Sequence, residues 1–479
     1  MNGALVTDWY QLNMMYAHFI RGTHSTPVVF DVFFRRLPCG SGFAVFAGLE
    51  QVLEFLSDVR FTDEDIRYLA ENGRYSAAFL DYLRSLRFRG DVWAMPEGTV
   101  VFPDEPLIRV QAPLAEAQWV ETAVLSIVNH QTLIATKTAR IVHAAGNDPV
   151  LEFGLRRAHG TEAGVYAARA AYIGGAEATS NVEAGRRFGI PVAGTHAHAF
   201  VQSFGDERAA FEAFVEAFPD QAILLVDTYD VLRSGLPNAI RVFRSLIERL
   251  GRRPKRYGVR IDSGDLAYLS KAARAMLDEA GFYDAVVVAS GDLDETIIRD
   301  LKVQGARIDM WGVGTELVTG GHCGALGAVY KLSAVHDGVR WVPKLKVSEN
   351  PLKINNPGIK KVVRFYDADD GRALADVVML AEEPSPSGPY EIFHPIYTMK
   401  RKTLVDYTTR EMLEPVMTRG VRRISAPSAA EIRRAHAAEL ERFAPEIRRL
   451  VNPHEYPVDL SLPLWELKHR LVREAQRRA

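Results

Sequence analysis

Residues 257–292, YGVRIDSGDLAYLSKAARAMLDEAGFYDAVVVASGD, read as a strand, a helix and a second strand in succession. The same rhythm continues outward on both sides. Towards the N-terminus, the short apolar stretches PVLEFG (149–154), AYIGGAEATS (171–180), IPVAGTH (190–196) and AILLVDTY (222–229) read as strands. Towards the C-terminus, RIDMWGVGT (307–315) and ALGAVYKL (325–332) do the same. Residues 231–250, 266–281 and 293–305 are helical in pattern. Strand–helix alternation argues for a parallel sheet, either open and doubly wound or closed as an α/β barrel. About eight strand candidates favour the barrel.

The flanks differ in character. In the first 140 residues, VVFDVFFRRL reads as a strand and FAVFAGLEQVLEFL as a turn into an amphipathic helix. Residues 91–114 have the composition of a small sheet, and residues 119–142 read as one long, mostly buried helix. After residue 335 the alternation ends in a basic, Pro/Asn-rich stretch, then a strand, then a charged helical tail. The division this predicts is an N-terminal α+β region over 1–140, an irregular, TIM-like α/β barrel as catalytic domain over 141–335, and a C-terminal region over 336–479 packed on the first.

Composition narrows the classes. A chain of 479 residues with 47% hydrophobic and 25% charged residues has an ordinary globular balance. A formal net charge of -2 supplies no global field for nucleic acid. Two cysteines, Cys39 and Cys323, cannot staple a secreted scaffold and fit a reducing compartment. No apolar run approaches the roughly 20 residues of a membrane span, and the opening residues lack signal-peptide features. The expectation is a cytoplasmic enzyme with no nucleic-acid or membrane partner.

Polar and glycine-rich residues cluster just after the strands. They include Arg156, Arg157, Ser180, Asn181, His196, His198, Asp227, Asp262, Asp265, Asp292, Gly312 and Gly314. In a barrel, all of these crowd the C-terminal rim, where such folds carry their sites. Asp262-Ser263-Gly264-Asp265 sets two carboxylates around a turn, a pattern that suits Mg²⁺ with a diphosphate; it equally suits a cap on the following helix. Arg260 offers a planar fork to an anion. Arg156 and Arg157 suggest anion binding, although pairing with nearby carboxylates is the commoner fate of such residues. The run Gly194-Thr195-His196-Ala197-His198 lacks the further ligands a zinc site needs, and leaves a nucleophilic or acid–base histidine as one reading beside a simple hydrogen-bonding role. The glycine-dense run from Gly312 can cradle a phosphate or merely turn the chain. Neither a Walker motif nor a G-x-G-x-x-G after a strand is present.

Taken together, TDWYQLNMMYA, EFGLRRAHG, GGAEATSNVEAG, GTHAHAFV, LLVDTYD, SGLPNAI, GVRIDSGDL, VVASGDLDE, GVGTELVTG and LGAVYKL resemble the nicotinate phosphoribosyltransferase family, in the family's order and over most of the chain. The resemblance implies transfer of a ribose phosphate from 5-phosphoribosyl 1-diphosphate to nicotinate, in the salvage of that vitamin into NAD. It implies Mg²⁺, coupled ATP hydrolysis through a phosphohistidine, and a homodimer with shared sites. Carried over by position, His198 is the phosphorylated histidine and Asp227 a carboxylate near it. Arg260 lies near the ring and phosphates, and Asp262 near Mg²⁺ and diphosphate, with Asp265 as a second candidate. Arg156 and Arg157 face phosphate. Phe153 and Tyr10 of the partner subunit form the walls of a ring slot, Gly194 belongs to the substrate-binding set, and Gly312 and Gly314 form the loop for the 5-phosphate. In similar nicotinamide-using enzymes an aspartate follows the second strand. Here Thr179-Ser180-Asn181 has no acid, which favours a carboxylate substrate by removing like-charge repulsion. Quinolinate-using relatives have much shorter chains. The alternatives are a nicotinamide-using relative and a non-catalytic barrel that binds a phosphorylated metabolite.

Overall fold

Six short strands carry the parallel sheet that the alternation predicts: β1 (Val150–Glu152), β2 (Ala178–Thr179), β3 (Gln221–Leu225), β4 (Arg256–Ile261), β5 (Val286–Gly291) and β6 (Met310–Val313). The structure, a computed structural model, describes residues 3–348 and 354–478; part of the basic stretch, residues 349–353, therefore lies outside the described residues. The sheet order is β2-β1-β6-β5-β4-β3, with every pairing parallel. The first strand thus pairs with the last, as closing a ring requires. Helices α1 (Thr161–Ile173), α2 (Leu236–Leu250), α3 (Leu266–Glu279) and α4 (Glu295–Val303) supply the crossovers.

Strand alternation sorts the apolar side chains to two faces. Ala222, Leu224, Val259, Ile261 and Val287 pack with Leu236, Val242, Phe243 and Leu246 of α2 and with Ala273 and Leu277 of α3. Their neighbours Ile223 and Val288 turn the other way and meet Leu151, Ala178 and Met310. This second cluster joins β2 and β3, the two edges of the sheet, so the sheet is curled around its own core. Both faces are covered, which explains the near-continuous burial of the strands.

The ring is not closed, and it has fewer strands than expected. IPVAGTH contributes only an isolated bridge, Thr179 to Val192. Between that segment and β3 no ladder forms; the Leu225 N–H donates instead to Nε2 of the His196 side chain, at 3.2 Å. The eighth candidate, ALGAVYKL, belongs elsewhere. It opens the strand Ala328–His336, which pairs antiparallel with Pro27–Phe34. Its burial is intermittent, as suits a strand with one covered face, and a short apolar run alone does not reveal which kind of sheet receives it.

The six strands and their helices lie in one compact unit, Lys137–Gly324 with Ser428–Arg433. The other unit gathers Met1–Thr136, Ala325–Pro427 and Arg434–Ala479. Its seven-stranded sheet interleaves both ends of the chain: Pro27–Phe34 lies between Ala328–His336 and Ile108–Pro113, and Asp91–Ala94 pairs with Glu414–Thr418. Buried ion pairs fix the same union. Lys360 Nζ lies 2.8 Å from Asp31. The wholly buried Arg364 makes a two-pronged contact with Asp376 and donates to the Val100 carbonyl at 2.8 Å. A guanidinium held this way has its desolvation offset by several charge-assisted bonds. Residues 119–142 form most of the 25-residue helix Glu121–Ala145, as expected. Cys39 and Cys323 are not free thiols, so the step from cysteine count to a reducing compartment loses its support. No helix among the described residues is long and apolar enough to cross a membrane.

Candidate active site

The C-terminal ends of β3, β4 and β5 deliver a connected polar network. Arg260, one residue before the end of β4, donates from Nη2 to Asp262 Oδ1 at 2.7 Å and from Nε to the Ser290 hydroxyl oxygen at 2.7 Å. The Ser290 hydroxyl in turn donates to Asp262 Oδ1. Arg260, Asp262 and Ser290 therefore form a closed triangle across β4 and β5. Gly291 permits it: the residue has φ +113°, and a Cβ there would lie 2.7 Å from the Asp262 carbonyl.

Asp227 follows β3 and ties into the same network. Its Oδ2 accepts from the Asp262 N–H at 2.9 Å and from the Ser263 hydroxyl at 2.7 Å. Its Oδ1 is buried and has no hydrogen-bond partner. That free oxygen lies 3.9 Å from Nε2 of His198, whose Nδ1 is 3.1 Å from the Thr228 hydroxyl. The imidazole is 41% exposed while the Asp227 side chain is 2% exposed, so the ring presents a solvent-facing edge backed by a buried carboxylate.

On the other side of Arg260 stands Phe153, with the guanidinium carbon 5.6 Å from the ring centroid. Gly312 of β6 lies against the same ring, since a Cβ there would meet Phe153 at 2.7 Å. An arginine, an aromatic face, two carboxylates and a histidine thus converge at one end of the curled sheet. This set can stabilise a leaving anion, position a flat ring and present a nucleophilic imidazole.

Comparison with known proteins places this site in context. Residues 5–129 match the nicotinate phosphoribosyltransferase (NAPRTase) N-terminal domain, and residues 359–468 match the nicotinate phosphoribosyltransferase C-terminal domain. The chain is 48% identical over 476 residues to the nicotinate phosphoribosyltransferase of Bacillus subtilis, covering 99% of this chain and 96% of that one. The chain belongs to the nicotinate phosphoribosyltransferase family. The human nicotinate phosphoribosyltransferase is 35% identical, with 98% of this chain and 96% of the relative covered. The crystal structure of human nicotinic acid phosphoribosyltransferase superposes with a TM-score of 0.82 at 34% identity, over 97% of this chain and 99% of that one.

The remaining residues singled out by likeness to the nicotinate phosphoribosyltransferase family fall as follows. Arg156 and Arg157 occupy a 3-10 turn (Leu155–Arg157) just beyond Phe153, exposed, and neither has an ion-pair partner among the described residues. Ser180 is half-buried beyond β2, with its N–H donating to the Glu152 carbonyl at 2.9 Å. Gly314 precedes the short helix Thr315–Val318, and a Cβ there would lie 3.3 Å from the Phe153 carbonyl. Gly194 is exposed, with open space where a Cβ would stand. Asp265 is exposed and caps α3, accepting from the Tyr268 N–H at 2.9 Å; the capping role falls to it and not to Asp262. Tyr10 belongs to the other unit, on the helix Trp9–Ile20, and is 51% exposed. His196 is a core residue: burial pushes its imidazole down to about 4, and it packs among Phe200, Phe211 and Phe214.

Sequence reasoning passed over Ser290, Ser263 and Thr228. Each lies within a strand-end string already quoted, within two residues of one that was singled out. Their signal is a small hydroxyl at a rim position, which single residues do not announce.

Proposed function

We propose that this chain transfers the 5-phosphoribosyl group of 5-phosphoribosyl 1-diphosphate to nicotinate, giving nicotinate mononucleotide and diphosphate, with ATP hydrolysis coupled through a phosphohistidine at His198. The observation that carries the reading is the convergence of Arg260, Asp262, Asp227 and His198 in a chain so similar to enzymes of that name.

The reaction breaks the C1–O bond to diphosphate as the pyridine nitrogen attacks C1. Positive charge grows on the ribose and negative charge on the leaving group. The nitrogen carries no proton, so no general base is required. Phe153 on one side and Tyr10 of the partner subunit on the other hold the ring, which supplies positioning. Arg260 meets negative charge with a fork already oriented by Ser290 and Asp262, so little reorganisation is needed at the moment of reaction. Arg156 and Arg157, without ion-pair partners among the described residues, and the backbone N–H groups around Gly312 and Gly314 take the phosphates.

Among the described residues no group of three or more His, Cys, Asp or Glu side chains could hold a metal ion by itself. Asp262 and the unpartnered Oδ1 of Asp227 still fit Mg²⁺ whose shell is completed by diphosphate oxygens, and there it would neutralise the departing charge. Asp265 can assist only from its second oxygen while it caps α3. Phosphorylation of His198 adds roughly two negative charges beside this site, tightening phosphoribosyl diphosphate binding and favouring product release. Ser180, where an acid would repel a carboxylate, supports nicotinate over nicotinamide.

Product analysis with nicotinate, nicotinamide and quinolinate, each with phosphoribosyl diphosphate and Mg²⁺, with and without ATP, tests the reading. The expected result is nicotinate mononucleotide, with turnover raised by ATP. A preference for either other base, or no product, overturns it.

A further inference from the structure

We propose that Glu152 is a positioning residue for the slot that receives the pyridine ring. The inference rests on the reading of Phe153 and Ser180 as parts of that slot.

Glu152 ends β1 and is 1% exposed. One carboxylate oxygen accepts from the Gly154 N–H and the other from the Thr179 hydroxyl. Thr179 Oγ1 also accepts from the Asn181 N–H, at 2.9 Å. The Glu152 carbonyl accepts from the Ser180 N–H, at 2.9 Å. One residue thus fixes two loops. Through Gly154 it sets the turn that carries Phe153 and leads to Arg156. Through Thr179 it sets the start of the loop that carries Ser180. Both loops follow strand ends, where the last backbone bonds to a neighbouring strand are Phe153 N–H to the Val313 carbonyl and Ser180 N–H to the Glu152 carbonyl.

The turn has little slack on its far side. A Cβ on Gly154 would lie 2.6 Å from the Val318 side chain and 2.8 Å from the Gly314 carbonyl. Residues 153–154 are therefore held between the Glu152 carboxylate and the Gly314 loop. Burying a carboxylate is costly, and an apolar side chain would fill the same volume without that cost. Burial pushes the Glu152 carboxyl above its usual range, while Thr179 and Gly154 pull it back. Keeping an acid here makes sense where directional bonds to two loops matter more than packing.

The experiment uses the full-length enzyme and three variants, with KM for nicotinate, KM for phosphoribosyl diphosphate and Tm measured for each. Glu152→Gln keeps the volume but cannot accept from both the Gly154 N–H and the Thr179 hydroxyl. Its KM for nicotinate should rise roughly 10-fold or more, the scale of a lost charge-assisted hydrogen bond, while that for phosphoribosyl diphosphate, which the same turn reaches only through Arg156 and Arg157, rises by clearly less. Thr179→Val keeps the acid and one of its bonds, and should raise the same KM by less; it decides the matter if Glu152→Gln does not fold. Both KM values rising in parallel, or neither moving, overturns the proposal. Phe153→Leu separates the premise from the inference. An unchanged KM for nicotinate in Phe153→Leu refutes the slot itself. A raised KM there, with Glu152→Gln unmoved, refutes the positioning role alone.

Discussion

Replacing Gly312 by alanine tests the ring slot by pressing on it from behind. The added methyl would stand 2.7 Å from Cδ2 and 2.8 Å from Cε2 of Phe153, and 3.3 Å from Cβ of Ser290. Carbon atoms settle at about 3.5–4 Å, so the ring must retreat by roughly 0.7–1.3 Å. The backbone of Gly312 is extended within β6, so alanine brings no conformational strain and the effect is steric alone. Overpacking of this kind costs about 1–3 kcal/mol, and misplacing a reactant by about 1 Å costs up to roughly 100-fold in rate. We expect kcat/KM for nicotinate to fall about 10- to 100-fold by that measure, with a modest loss of Tm. Steady-state kinetics at saturating phosphoribosyl diphosphate, with a thermal melt, provide the readout. A kcat/KM for nicotinate equal to that of the native enzyme would show that Phe153 either does not move or does not touch the substrate.

Three further outcomes are expected. His198→Ala should abolish ATP-dependent stimulation while leaving slow transfer without ATP; unchanged ATP consumed per product refutes its role as phosphoryl acceptor. Ser180→Asp should move the preference towards nicotinamide, measured as the ratio of kcat/KM for the two bases, and an unmoved ratio removes the charge argument. His196 titrates near 4 in the fold against 6.5 in the free chain. Above pH 6.5 both states are neutral, and as pH falls towards 4 the unfolded chain gains a proton that the folded chain refuses. Folding stability should therefore drop by about 2 kcal/mol between pH 6.5 and pH 5 from this residue. Urea denaturation of His196→Gln at pH 7 and pH 5 should show that much less acid sensitivity than the native protein; identical sensitivity rejects the assignment.

The strand–helix rhythm was legible because the strands are buried on both faces and the crossover helices have a clear amphipathic period. Its limit lay at ALGAVYKL, where the same apolar run serves a sheet with one covered face, paired to residues some 300 positions away that local pattern cannot announce. IPVAGTH failed differently: a proline and a glycine interrupt its backbone pairing, and a side chain takes over one partner's hydrogen bond. The charged residues of the site were visible as strand-end acids, arginines and a histidine. Asp262 and Asp265 could be divided into network member and helix cap only by geometry, because either carboxylate suits either role in sequence. Ser290 and Glu152 stayed hidden for a related reason. Their work is to hold other side chains, and a residue's partners across strands are set by register, which the sequence does not print.

The interruption between residues 191–196 and β3 bears on the phosphoryl-carrier role proposed for His198. His198 follows a stretch attached to the sheet by a single backbone bridge and the His196 imidazole, and its own ring adds only a side-chain bond to Thr228, so displacing it sacrifices few backbone contacts, whereas Asp227 and Arg260 are anchored beside continuous ladders. Segments with sparse backbone pairing open at the low end of the local stability range. On the proposed reading, the fold thus grants freedom of travel to the group that would serve a nucleotide and a sugar diphosphate in turn, and denies it to the groups that would stay aimed at the anomeric carbon.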